Sequence, residues 1–355
     1  MSDNHGPARE NGRAAAAADG TAAEVGAAEA DAIRDGGAAA PARRALLVMN
    51  PKATSTSERT SQVLVGALSS VLELRTARTE RRGHAADLAR EAAADGMDLV
   101  IAFGGDGTVN EVVTGLLADG PAAGLPAVAV VPGGSTNVFA RALGLPNDAV
   151  EATGALLSYL REGRTRMVSV GAARSDDEKE DRYFTFSAGF GFDAAVVGEV
   201  ERQRAAGRRS TGTLYMRSAL SEYWRRMDRK NPPITAEAAG VELPPLFMAA
   251  LANTAPWTYL GNRPILATPD AGFDTGLDLF GLSSMRLVPV WRTVGRLLAN
   301  SRRLERDRGV LIRHDLPEIT LSGARPVAFQ VDGDYLGTRE RVTFRSVPAA
   351  LRVFA

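Results

Sequence analysis

Three short segments of the chain combine glycine with side chains able to meet phosphate: Asn50-Pro51-Lys52, Gly104-Gly105-Asp106-Gly107-Thr108 and Pro132-Gly133-Gly134-Ser135-Thr136-Asn137. In the second, glycine lets the backbone approach a ligand closely. The amides at the start of the following helix then face an anion at the positive end of that helix. Asp106 adds a carboxylate able to hold Mg2+, through water, beside those phosphates. The third segment offers a nucleotide backbone amides, two hydroxyls and a carboxamide, and Asn50 reaches the same crevice from the end of the first strand. No G-x-x-x-x-G-K-[ST] occurs, so phosphate charge is left to backbone amides and metal. A fourth segment, Asp332-Gly333-Asp334, brings two carboxylates together late in the chain. Taken alone it is explained by a polar hairpin turn.

The elements that position these segments follow from hydrophobic spacing. Apolar strands are predicted at 45–49, 98–103 and 127–131, with a further strand at 72–76. Helical spacing predicts helices at 57–72, 85–94 and 109–117. Each glycine segment therefore falls at the carboxyl end of a strand, where parallel α/β sheets bind ligands. Beyond residue 168 the pattern changes to short strands at 183–187, 246–252, 277–282, 318–322, 327–331 and 342–345, separated by turns, which predicts an antiparallel sandwich. Helical insertions interrupt it at 211–229 and 287–305. The three tryptophans, Trp224, Trp257 and Trp291, read as core aromatics, and His84 as a capping or packing residue near a helix start.

Composition bounds the function. The chain has 355 residues, with Lys+Arg and Asp+Glu at 42 each, so no global field favours nucleic acid. Cysteine is absent and histidine occurs three times, which excludes disulfides, cysteine nucleophiles and a His-rich metal cage. Residues 1–43 are Ala, Gly and charged residues with almost no large apolar side chain, and are expected to be a disordered tail. No apolar run approaches the ~18 residues that span a bilayer, and no signal peptide is evident. A cytoplasmic protein, peripheral at the inner membrane face, is the expectation. A homodimer is compatible with the sequence.

With these residues in place, the chain from about 44 to 355 resembles the diacylglycerol kinase catalytic-domain family, which includes bacterial lipid kinases and sphingosine kinases. Asn50-Pro51-Lys52-Ala53 is similar to its opening element. Gly104 to Thr108 followed by Asn110-Glu111-Val112 resembles its nucleotide motif, and Gly133-Gly134-Ser135-Thr136-Asn137 with Phe139-Ala140-Arg141 its second glycine element. Ser187-Ala188-Gly189-Phe190-Gly191-Phe192-Asp193-Ala194 resembles the entry into the second domain, and Asp332-Gly333-Asp334 the late acidic motif. The resemblance implies an α/β plus β fold. An α/β nucleotide-binding domain like that of NAD kinase and phosphofructokinase would occupy 44–168, and an antiparallel β-sandwich lipid-substrate domain 169–355. It implies ATP as co-substrate, Mg2+, and a lipid alcohol, foremost diacylglycerol, as acceptor. Asp334 would take the role of general base, with Asp106 and Asp193 as further acidic groups. A structural Mg2+ is implied near Pro269–Gly276, with Asp274 and Asp270 as candidate ligands; a hairpin turn explains that stretch equally well. Two departures stand out: Val138 replaces an Asp common in the family, and Asp334 a Glu.

Two arginine-rich segments, 197–230 and 286–314, pair cationic surplus with apolar stripes. Each fits either docking on an anionic membrane surface or a helix packed on the sandwich with a solvated face. A soluble-metabolite kinase like NAD kinase shares the first glycine loop, but Asn50-Pro51 and Phe139-Ala140-Arg141 fit the lipid branch better. A non-catalytic lipid or nucleotide binder is the remaining alternative.

Overall fold

The structure is a computed structural model in which residues 44–51, 53, 57–208, 212–225 and 228–355 are described. The expected tail and Lys52 lie outside the described residues. All described residues belong to one compact unit, Pro41–Ala355.

The first half alternates β1 (Arg44–Met49), α1 (Glu58–Ser69), β2 (Glu73–Arg78), α2 (His84–Ala94), β3 (Leu99–Gly104), α3 (Asp106–Leu116), β4 (Ala127–Pro132), α4 (Val138–Ala142) and α5 (Ala149–Glu162). Its four strands pair in parallel in the order β2-β1-β3-β4. The near-continuous apolar runs of β1, β3 and β4 reflect burial on both faces. On one face Leu64 and Leu68 of α1 and Leu156 and Leu160 of α5 cover Leu47 and Ile101. On the other, Leu88 of α2 and Val109, Val112 and Val113 of α3 cover Leu46, Val100 and Val128. α5 escapes sequence-based assignment, although Asp148 caps it by accepting from Val150 N (2.9 Å) and Glu151 N (3.0 Å).

The second half contains β5 (Arg166–Ser175), β6 (Arg182–Phe184), β7 (Ser187–Gly191), α6 (Phe192–Ala205), α7 (Gly212–Arg225), β8 (Ile234–Ala238), β9 (Val241–Leu246), β10 (Met248–Ala252), β11 (Thr258–Leu260), β12 (Arg263–Ile265), β13 (Leu277–Leu282), α8 (Leu287–Leu298), β14 (Val310–Leu316), β15 (Glu318–Val331) and β16 (Asp334–Val353). A 3-10 helix at Arg302–Arg306 follows α8. These strands pair antiparallel, with β14-β13-β10-β7-β15-β16 as the main run and β8-β9 and β5-β6 on its flanks. They enclose a core of Phe184, Phe190, Leu251, Leu279, Leu321, Phe329 and Phe344. The strands expected at 318–322 and 327–331 are one strand, β15, because its pairing with β16 absorbs the intervening residues as a register shift between Ser322 and Val327. The expected 342–345 strand is the middle of β16, a 20-residue strand whose interspersed Arg and Glu conceal its length in the sequence.

β16 links the two halves. It runs antiparallel to β15 and β5, then pairs in parallel with β4 at Val353↔Val128. The last residues thus extend the parallel sheet, with Phe354 N donating to Val128 O at 3.0 Å.

The tryptophan expectation needs correction. Trp257 is partly buried and packs on Phe280 with ring centroids 6.2 Å apart. Trp224 and Trp291, by contrast, are 56% and 55% exposed. Each lies on a helix that buries only part of its apolar stripe.

Candidate active site

The two glycine loops pack against each other at the carboxyl ends of β3 and β4. Gly133 N donates to Gly104 O at 2.8 Å. A Cβ placed on Gly134 would lie 2.7 Å from Gly105 Cα, so a side chain there would push the loops apart. Asn50, directly after β1, donates from Nδ2 to Thr108 Oγ1 at 3.2 Å. Three of the predicted phosphate-binding segments therefore converge, as parallel-sheet topology requires.

Asn137 does different work from that expected. It is buried with a left-handed backbone (φ 49°). Its Oδ1 accepts from Gly134 N (2.9 Å), while Nδ2 donates to Gly134 O and Asn147 Oδ1, both at 2.8 Å. The carboxamide is consumed in shaping the loop. Ser135 is exposed and Thr136 partly exposed.

Asp106 begins α3, and its Oδ1 accepts from Phe139 N at 3.2 Å. Burial pushes its carboxyl up to about 6, against the opposing pull of the backbone amides of Val138, Phe139 and Asn137. No ion pair joins it to a cation among the described residues. Such a carboxylate, beside a cradle that a Cβ would fill, fits a divalent cation carried in with phosphates, which needs few protein ligands. Val138 is buried, 1% exposed, and offers the site its amide alone.

The late motif divides into two roles. Asp332 is buried, and its two oxygens accept from Thr185 N (2.7 Å), Thr185 Oγ1 (2.8 Å), Phe186 N (3.1 Å), Ser187 N (3.0 Å) and Asn110 Nδ2 (2.8 Å). Burial raises its proton affinity, while these donors oppose the rise. Asp334 starts β16 with its side chain 40% exposed and pairs with Arg82 NH2 at 3.2 Å. Its Oδ2 lies 3.9 Å from where a Cβ on Gly107 would be, at the lip of the first glycine loop. Asn110 and Glu111, two and three residues after that loop, are struts. Asn110 also donates to Tyr183 O at 2.8 Å. Glu111 accepts from Gly83 N (2.8 Å) and Ala85 N (3.1 Å), capping α2.

This loop architecture agrees with a match of residues 44–173 to the diacylglycerol kinase catalytic domain. That stretch is similar to the catalytic domains of diacylglycerol kinases. Among relatives, a diacylglycerol kinase of Bacillus subtilis (strain 168) is 43% identical over 112 residues, 30% of this chain and 35% of that protein. A protein named "Probable lipid kinase YegS-like" from Xanthomonas euvesicatoria pv. vesicatoria (strain 85-10) is 29% identical over 74% of this chain and 80% of its own length. The chain thus matches about a third of the first relative and most of the second. In fold, it is similar to a crystal structure of a diacylglycerol kinase from Bacillus anthracis str. Sterne, at TM-score 0.65 and 21% identity, covering 88% of this chain and 96% of that one.

Within the catalytic-domain frame, the remaining expected residues fall as follows. Asp193, at the start of α6, lies over Gly189 and accepts from Gln330 Nε2 at 3.0 Å. Burial pushes it up to about 6, partly offset by that hydrogen bond. Gln330 also accepts from Gly333 N at 2.9 Å, so it ties Asp193 to the Asp332-Gly333-Asp334 turn. Asp270 and Asp274 are both exposed, and no three His, Asp or Glu side chains converge as metal ligands among the described residues. Nearby Asp278 is buried instead, meeting His314 Nδ1 at 2.7 Å and Asp315 N at 3.1 Å. His84, the first residue of α2, caps no helix amide; its Nδ1 accepts from Glu80 N at 3.1 Å and so ties down the turn that leads into the helix.

The partners of three participants are not legible in the sequence. Arg82 meets Asp334 across more than 250 positions, which no local pattern announces. Gln330 carries one signal, a polar residue inside an apolar strand. Arg141 stacks over Tyr259, 3.2 Å from the ring centroid, and donates to Gly261 O (3.4 Å) and Asn262 O (3.3 Å). It thereby pins the β11–β12 hairpin beside the second glycine loop.

Proposed function

We propose that the protein is an ATP-dependent lipid kinase that transfers the γ-phosphoryl group to a lipid hydroxyl, with diacylglycerol as the acceptor its relatives' names favour. The observation that carries this reading is the placement of Asp334, a solvent-reachable carboxylate at the lip of a glycine loop built for phosphate. Residues 44–168 would hold the nucleotide, and 169–355 would supply the acceptor side.

The chemistry follows from the side chains. The backbone amides of Gly105–Gly107 and Ser135, which are not spent on the loop-closing bonds of Gly133, Gly134 and Thr108, would meet phosphate oxygens. Asp106 is the group that would hold Mg2+, whose bound charge offsets that of the transferring phosphoryl. Asp334 takes the proton of the attacking alcohol as the new P–O bond forms and ADP departs. Asp332 cannot serve as base, because its oxygens are already committed to five donors. Arg82 fixes the position of the Asp334 carboxylate while leaving it partly open to solvent.

The test is Asp334→Asn, assayed with ATP and short-chain diacylglycerol dispersed in detergent. Turnover should fall by ~10²-fold or more with ATP affinity little changed. Wild-type turnover in this variant would remove Asp334 as base and point to Asp193. Absence of phosphorylated lipid with wild-type protein, across diacylglycerol, sphingoid-base and ceramide acceptors, would overturn the lipid-kinase reading itself.

A further inference from the structure

α8 carries an unusual distribution of side chains. At about 100° per residue, Val290, Thr293 and Leu297 share one side; Thr293 is buried, and Val290 and Leu297 pack on the core of Phe280, Leu282 and Met285. The adjoining side presents Leu287, Trp291 and Leu298, which are 43%, 55% and 40% exposed. Val288, 78% exposed, continues this band. The apolar stripe is thus about twice as wide as the part that the protein covers. Arg292 and Arg296 follow on the far edge of the exposed band.

Those two arginines open onto a cavity of about 310 Å³ lined by Arg292, Arg296, Arg303, Arg306, Asp307 and Arg308. Asp307 is buried and accepts from Arg292 Nε (3.0 Å) and Arg296 NH1 (2.5 Å) through the same oxygen, Oδ1. Its other oxygen has no hydrogen-bond partner. Arg303, Arg306 and Arg308 form no ion pair among the described residues. Five guanidinium groups against one carboxylate leave a strong local cationic surplus in a chain whose formal net charge is zero. Guanidinium groups pair well with phosphate oxygens.

We propose that α8 and this arginine cavity form a docking site for an anionic phospholipid bilayer. Leu287, Val288, Trp291 and Leu298 enter the interfacial layer, and the cavity receives lipid phosphates. The proposal rests on the lipid-kinase reading in that a lipid acceptor has to be met at a bilayer. Two further features favour a bilayer as occupant. First, α7 exposes Leu220 and Trp224 (40% and 56%), and its Tyr223 donates to Met285 O at 2.8 Å, just before α8 begins. Two helices that meet at this edge therefore each present a tryptophan, the residue favoured at membrane interfaces. Second, the cationic rim lies directly beside the exposed apolar band, the arrangement of helices that lie in the interface plane.

The surface is distinct from the catalytic lip. Gly191, Met248, Leu282 and Val310 are successive register partners, so α8 and the 3-10 helix leave the sheet from its Gly191 end. Asp332 N donates to Ser187 O at 2.8 Å, which puts the Asp334 turn at the other end of β7. By strand spacing and residue rise, the two are separated by on the order of 20 Å. The docked phosphate is therefore not the reacting group.

The experiment is sedimentation of the full chain, without nucleotide, with vesicles of phosphatidylcholine alone or mixed with phosphatidylglycerol, together with tryptophan emission. Wild-type protein should prefer the mixed vesicles, lose binding as salt rises, and shift its emission to the blue. Arg303→Glu/Arg306→Glu should weaken binding to mixed vesicles by at least about tenfold, and Leu287→Ala/Trp291→Ala should reduce binding to both compositions. Wild-type affinity in the arginine variant, or no vesicle binding by wild-type protein, would overturn the proposal. Both variants should keep wild-type turnover on a soluble short-chain diacylglycerol. Loss of turnover on that soluble acceptor would show that the segment serves the fold or the chemistry and would also overturn the proposal. If wild-type protein phosphorylates no lipid but the vesicle results hold, the kinase reading fails while the docking site stands.

Discussion

Asp106→Asn should separate activity from stability. The wild-type carboxyl titrates at about 6 rather than at 3.8, because burial penalises its charge and no cation is paired with it. At 1.36 kcal/mol per pK unit, ionisation at neutral pH costs the folded state up to about 3 kcal/mol. Asparagine keeps the acceptor for Phe139 N–H and removes the charge, so a gain of about 1–3 kcal/mol is expected. That corresponds to several degrees in Tm for a chain of this size. The sign depends on pH. Between the unfolded and folded pKa values the folded state holds the proton more tightly, so wild-type stability falls as pH rises from about 4 to about 6, then levels off. The advantage of the variant should be near zero at about pH 4 and complete above about pH 6. Thermal unfolding by circular dichroism across that range reads it directly, and kinase turnover in the same preparations should drop by about 100-fold or more. A variant less stable than wild type at neutral pH, or a difference that ignores pH, would refute the view of Asp106 as an uncompensated charge awaiting a metal.

Asp332→Ala should be among the most damaging single changes, since it strands the donors of Thr185, Phe186, Ser187 and Asn110 in a buried site; a loss of about 3–5 kcal/mol is expected in denaturant unfolding. Gly134→Ala should weaken ATP binding by at least about tenfold while leaving the lipid-docking surface intact, because its methyl would press on Gly105 Cα; nucleotide titration by fluorescence checks this.

The α/β half is readable from sequence because its signals are local. Apolar runs such as Leu99–Phe103 are buried on both faces, and each ends at a glycine segment. Asp106, Asn50 and the paired glycines could therefore be assigned to one crevice before any coordinates. What sequence conceals is pairing between distant segments. The Arg82–Asp334 ion pair and the hold of Asp332 on Thr185–Ser187 depend on strand order, which periodicity does not encode. Asn137 shows a subtler limit: its type fits ligand binding and loop closure equally, and only its left-handed backbone and its bonds to Gly134 decide for closure. For Trp224 and Trp291, amphipathic spacing was visible, but the covered width of each stripe was not.

β16 has a mechanical consequence. Asp334 is its first residue and Val353, paired with Val128 of β4, is its last. A hydrogen-bonded strand cannot stretch, so Asp334 and the parallel sheet are joined by a strut rather than by a flexible hinge. Along its pairing with β5 the strut breaks step once, between Val347 and Leu351, where Ala349 adopts φ 47°. Rocking of the antiparallel half against the parallel sheet would bend this strand most readily there, at an ordinary-looking stretch far from every glycine loop.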